Sequence, residues 1–213
     1  WLGVLGVAIF AVTLPATRLA TGTHEQPQLS PWFVTLGRAA LAGLLSAVFL
    51  LATRSRYPLT PLLYTLVFFH AIILMVGGMY TYAKVPIGFD VQEMFNLSRN
   101  PYDKLGHFFQ GLVPALAARE ILLRSGYVRG RKMVGFLVCC IALAISAAYE
   151  LIEWWAALAM GQGADDFLGT QGDPWDTQSD MFCALLGALT TVLLLGRALL
   201  QIVGGDKLII PFC

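Results

Sequence analysis

Residues 133–158 read MVGFLVCCIALAISAAYELIEWWAAL, 26 residues with no proline and one glycine, Gly135. About 20 apolar residues carry a helix across the hydrocarbon of a bilayer. At 1.5 Å per residue this segment is long enough to do so with a turn or more to spare. It also carries two acids, Glu150 and Glu153, near its end. Charged groups close to hydrocarbon are costly, so an acid inside a spanning helix marks a candidate functional site.

The rest of the chain agrees with a membrane protein. Of 213 residues, 57% are hydrophobic and 13% charged, against about 25% charged in a soluble domain. The net charge of +1 offers no basis for a nucleic-acid partner. Cys139, Cys140 and Cys183 lie in apolar runs and Cys213 is terminal, which reads as small apolar packing residues rather than a disulfide framework.

Six apolar segments are expected to span, at about 2–16, 33–52, 62–83, 104–123, 133–158 and 176–195. The first lacks a basic leader and a small-residue cleavage site, so it reads as a span and not a signal peptide. Prolines and glycines punctuate the limits: Pro27 and Pro31, Pro58 and Pro61, then Pro86 and Pro101 bracketing a loop, then Gly161, Gly163, Gly169, Gly172 and Pro174. No internal repeat of the kind found in inverted-repeat transporters is evident. Arg54, Arg56, Arg124, Arg129, Arg131, Lys132, Arg197 and Lys207 fall on one side; Arg18, Lys84, Arg99 and Lys104 fall on the other. The positive-inside bias of eight against four puts both termini in the cytoplasm. The expected fold class is all-α, a polytopic transmembrane helix bundle of about six spans in one integral membrane domain.

Seven ionisable residues then fall at similar depth near the outer leaflet. Asp103, Lys104 and His107 open the fourth span, and Gln110 extends their stripe. Glu150 and Glu153 are three apart in the outer third of the fifth, roughly 8–12 Å from its end at 1.5 Å per residue. Asp176 and Asp180 are four apart at the start of the sixth. Spacings of three and four put each set on one helix face. Crowded carboxylates need compensation: a pairing cation such as Lys104 or protonated His107, a bound proton, or a divalent metal ion. The expected catalytic set is Asp103, Lys104, His107, Glu150, Glu153, Asp176 and Asp180. The metal candidates within it are His107, Glu150, Glu153, Asp176 and Asp180. Oxygen ligands suit Mg²⁺, Ca²⁺ or Mn²⁺, and the imidazole adds Zn²⁺.

Each residue also has a structural reading. Asp103 and Asp176 stand where helix N-caps are expected, and Lys104 is long enough to snorkel to the interface. A single His107 in an apolar helix serves packing and hydrogen bonding more often than ligation. Glu120 and Arg124 form an i,i+4 pair at the inner end of the fourth span. His70 is expected to pack in the core. Gly77 and Gly78 allow close helix approach or a bend. Trp154, Trp155 and Trp175 suit an aromatic belt at the interface.

Three stretches carry a family resemblance: YDKLGHFFQGLVPALAAREILLR at 102–124, AYELIEWW at 148–155 and GTQGDPWDTQSDMFCALLGA at 169–188. They resemble the YjdF family of uncharacterised bacterial inner-membrane proteins, which implies a multi-pass location in the cytoplasmic membrane. More distantly, Asp103, Lys104, His107, Phe108, Glu150, Asp176, Asp180 and Gly187 resemble the pattern of VanZ-like proteins, a group linked to glycopeptide resistance. Glu153 stands where that pattern has glutamine, and Asp173-Pro174-Trp175 replaces its arginine. The resemblance implies a shared scaffold and polar site, and no reaction.

Three functions remain open on the sequence. The first is an outer-leaflet site that acts on or binds a lipid or lipid-linked envelope substrate, with or without a divalent metal; there Lys104 would hold a phosphate. The second is proton-coupled transport. The third is a scaffold whose polar cluster fixes helix packing. Membrane lipids are the expected partners.

Overall fold

The computed structural model describes residues 59–80, 82–160 and 171–195. The expected spans at 2–16 and 33–52, the loop with Arg54 and Arg56, and the tail with Arg197 and Lys207 lie outside the described residues. The described residues are helical, with no strand among them. The helices are α1 (Pro61–Met79), α2 (Pro86–Met94), α3 (Tyr102–Arg124), α4 (Arg131–Met160) and α5 (Asp176–Thr190), the last continuing into a π-helical turn, Thr191–Leu195. Among the described residues, three stretches are long and apolar enough to cross a membrane: Pro61–Met79, Arg131–Trp155 and Asp176–Leu195. Large side chains on them face outward, among them Phe68, Phe69, Phe136, Leu151 and Phe182. That is the surface a helix presents when its solvent is hydrocarbon.

By internal packing the chain forms two compact units. One takes in Leu50–Leu74, Asp103–Ala147 and Trp175–Cys213. In it α3 is the central element. Leu112, Val113 and Leu116 pack on Leu63 of α1, and Ala115 and Ala118 pack with Val134, Val138 and Ala142 of α4 and Ala188 of α5. Small residues dominate the second cluster because helices in lipid gain little from apolar burial and much from close packing. The contact of α3 with α5 is closer still. A methyl group on Gly111 would stand 1.8 Å from the Ala184 carbonyl oxygen, and one on Gly187 would stand 2.0 Å from that of Phe108. Each glycine therefore takes the backbone of the other helix directly. Thr191 completes the contact by donating its hydroxyl to the Leu112 carbonyl at 2.9 Å. The two helices run parallel, so their first turns lie side by side.

The start of α1 is fixed from α3. Thr60 caps it, accepting the Leu63 amide at 3.3 Å, with Pro61 at the first helical position where its missing N–H costs nothing. Glu120, fully buried, takes the Thr60 amide at 3.1 Å and the Thr60 hydroxyl, and lies 3.3 Å from Arg124 Nη2. The expected Glu120–Arg124 pair is present, and Thr60 is its third member.

The other unit takes in Trp1–Phe49, Met75–Tyr102 and Ala148–Pro174. Here α1 ends at Met79 rather than running on to residue 83. The Tyr82 ring covers Gly77, where a methyl group would come within 2.2 Å of it, while Gly78 has open space. Gly77 thus serves a chain turn. The stretch after Pro86, expected as loop, contains α2, because proline favours the first position of a helix as much as it forbids the interior. Asn100 organises the connection from α2 into α3. Its side chain donates to the Val85 carbonyl at 3.0 Å and accepts the Tyr102 amide at 3.0 Å. Its backbone N–H and C=O both pair with the Gln171 amide at 3.1 Å, and Arg99 meets Asp173 at 3.2 Å.

Candidate functional site

Parallel packing of α3 on α5 sets Lys104 opposite the first turn of α5. Its ammonium lies 2.8 Å from Asp176 Oδ1, 2.6 Å from Ser179 Oγ and 2.6 Å from Asp180 Oδ1. An ammonium has three protons, and all three are taken. Lys104 is therefore drawn across to α5, not out to the interface, and it keeps no proton to hold a phosphate. Ser179 is oriented for its part by donating to the Asp176 carbonyl at 2.9 Å. Asp176 and Asp180 are 6% and 2% exposed, so the Lys104 ammonium does more for their charges than water does.

One turn along α3, His107 is 5% exposed. Its Nδ1 lies 2.9 Å from Gln110 Oε1. An amide oxygen only accepts, so Nδ1 donates, and in the neutral ring the lone pair falls on Nε2. That nitrogen lies 3.6 Å from Asp103 Oδ1 and 3.7 Å from Asp180 Oδ2. Asp180 is shared, one oxygen towards Lys104 and the other towards His107. Asp103, His107 and Asp180 each offer one ligand atom, and these three atoms lie within 4.8 Å of one another.

Neither expected N-cap is one. The Tyr102 amide at the start of α3 is taken by Asn100, and the residue before α5 is Trp175, with no side-chain cap. Asp103 and Asp176 sit inside the first turns of their helices, where the positive end of the helix favours a carboxylate, and their side chains turn to His107 and Lys104.

Five of the seven expected residues thus come together: Asp103, Lys104, His107, Asp176 and Asp180. Glu150, buried, and Glu153, half-buried, belong to the other compact unit. Gln110 is where its stripe puts it, and Ser179 is an addition. A serine three residues after an acid at a helix start is too common a pattern to have marked it. His70 packs beside Phe109, ring centroids 6.2 Å apart. Trp154, Trp155 and Trp175 are all more than half exposed.

Comparison with known proteins gives the setting. The family described as "Predicted membrane protein (DUF2238)" matches residues 6–201. Among curated proteins, the chain is 72% identical over 187 residues to Inner membrane protein YjdF of Escherichia coli (strain K12), covering 88% of this chain and 87% of that protein. It is 45% identical over 56 residues to Uncharacterized transporter YdeK of Bacillus subtilis (strain 168), covering 26% of this chain and 18% of that one. No solved structure matches. With almost its whole length matched, and three helices among the described residues apolar enough to span, the chain belongs to the DUF2238 family of predicted membrane proteins and is a multi-pass protein of the bacterial inner membrane.

Proposed function

We propose that this protein crosses the membrane about six times with both termini cytoplasmic, and that the Asp103, Lys104, His107, Asp176 and Asp180 cluster is its working site near the outer leaflet. There it binds or acts on the polar head of a lipid or lipid-linked envelope substrate. The observation that carries this reading is His107. It is buried and held in one orientation by Gln110, with Nε2 facing two carboxylates. A histidine so held is equipped to take and return a proton, and Asp103 and Asp180 stabilise the imidazolium that forms. Lys104 does not touch substrate in this scheme. It holds Asp176 and Asp180 in place.

Ionisable groups buried inside a membrane bundle are costly and mark functional sites, which favours a working site over a purely structural one. The 56-residue likeness to a transporter makes transport the second reading.

The test is a strain deleted for the gene and complemented with the wild type, His107→Gln or Asp103→Asn, each checked for equal amounts in the membrane. Envelope lipids and lipid-linked intermediates are profiled by mass spectrometry. The proposal expects one lipid species to change on deletion, to return with the wild type and not with the variants. Variants that restore the profile as well as the wild type would sink it. Proton or solute uptake by proteoliposomes that depends on His107, with an unchanged lipid profile, would favour transport.

A further inference from the structure

The ligand geometry around His107 points to a cofactor for this site: we infer that Asp103, His107 and Asp180 bind one divalent cation through Oδ1, Nε2 and Oδ2. The inference rests on reading this cluster as the working site, and in the metal-bound state it assigns His107 Nε2 to the ion in place of the proton that the nitrogen takes up in the metal-free site.

The first support is spacing. At 3.6 and 3.7 Å, Nε2 is too far from either carboxylate oxygen for a normal hydrogen bond. Bonds of about 2.1 Å to a metal set tetrahedral ligand atoms ~3.4 Å apart. Nε2 therefore stands near ligand-to-ligand spacing from both oxygens. Two aspartates alone would carry no such inference.

The second support is the histidine's other nitrogen. Metal-bound histidines donate their far N–H to an oxygen acceptor, which fixes the ring and raises its basicity. Gln110 Oε1 does this at Nδ1, and burial of the ring leaves few alternative rotamers.

The third is the way Lys104 divides the oxygens. It occupies Asp176 Oδ1 and Asp180 Oδ1 and leaves Asp180 Oδ2 on the histidine side. The same ion resolves the problem set by Lys104's engaged protons. Carboxylates repel an anionic headgroup, whereas a metal with three protein ligands keeps open positions that accept its oxygens. One imidazole nitrogen with two carboxylate oxygens suits Mn²⁺ or Zn²⁺.

The test uses the full chain in maltoside detergent, stripped with EDTA and dialysed. Mn²⁺ is titrated in, free ion is followed by electron paramagnetic resonance, and bound metal is counted by elemental analysis. Zn²⁺ serves as competitor. One saturable Mn²⁺ per chain is expected. Asp103→Asn and His107→Gln, which leave every Lys104 contact in place, should weaken it at least about tenfold. Asp90→Asn, at an exposed acid on α2, should bind as the wild type does. Wild-type protein that is monodisperse but shows no saturable binding overturns the inference. So does undiminished binding by both ligand variants. Either result leaves the lipid profiles of the complemented strains to judge the site itself, so the two failures are distinguishable.

Discussion

The ammonium of Lys104 on α3 lies 2.6 Å from Asp180 Oδ1 on α5, and the same carboxylate turns its second oxygen to within 3.7 Å of His107 Nε2. One acid therefore joins a structural ion pair to a candidate reactive centre. Lys104 orders the site without standing in it.

Removing that ammonium should be costly. Lys104→Met leaves Asp176 and Asp180 buried without their cation, and breaking such a pair costs about 3 kcal/mol when the partner is well buried. Lys104 is itself partly exposed, so water will recover some of that loss. The expected outcome is a lower melting temperature in detergent, with Lys104→Arg in between because its charge is kept but its geometry is not. A melting curve for Lys104→Met that overlays the wild type would refute the role given to Lys104.

Gly111→Ala tests the helix contact that creates the site. Its methyl group would stand 1.8 Å from the Ala184 carbonyl, so α3 and α5 must separate. Overpacking of this kind costs about 1–3 kcal/mol. Separation also moves Asp103 and His107 away from Asp180, so Mn²⁺ affinity should fall together with stability. Gly78→Ala, in open space, is the control and should change neither.

Glu120→Gln should separate stability from the site. Glu120 accepts the Thr60 amide and hydroxyl and pairs with Arg124. The variant removes the charge that meets Arg124 and leaves one acceptor oxygen where there were two, a loss of about 1–3 kcal/mol. Thermal melting should report it, while Mn²⁺ affinity of the folded protein stays at the wild-type value. A parallel loss of Mn²⁺ binding would show that the two clusters are coupled.

Asn100→Ala should loosen the connections on either side of α2. It strips partners from the Val85 carbonyl and the Tyr102 amide, each worth about 1 kcal/mol net. Limited proteolysis should then cut near residues 85–101 sooner than in the wild type. Asn100→Asp keeps the acceptor for Tyr102 but turns a donor into an acceptor at Val85, so it should not restore protection.

Much of the helical arrangement is legible in residue order alone. Apolar runs of spanning length, with prolines at their starts, mark helices because hydrocarbon leaves the backbone no partner but itself. Pro86 misled in the other direction: the same residue that ends a helix also begins one, and local sequence does not tell the two apart. Spacing of three and four also made Asp103 and His107 neighbours on α3, and Asp176 and Asp180 neighbours on α5, since a helix repeats every 3.6 residues.

Residue order by itself determined that this chain is a helical membrane protein and which ionisable residues share a face. Tertiary structure alone decided who pairs with whom. Lys104 chose Asp176, Ser179 and Asp180, 72 to 76 residues away; Glu120 chose Thr60, 60 residues back; Asn100 chose Gln171, 71 residues on. Periodicity carries no information about the facing helix. The pairing across α3 and α5 is set by where backbones can touch, and that was settled by two missing side chains, at Gly111 and Gly187.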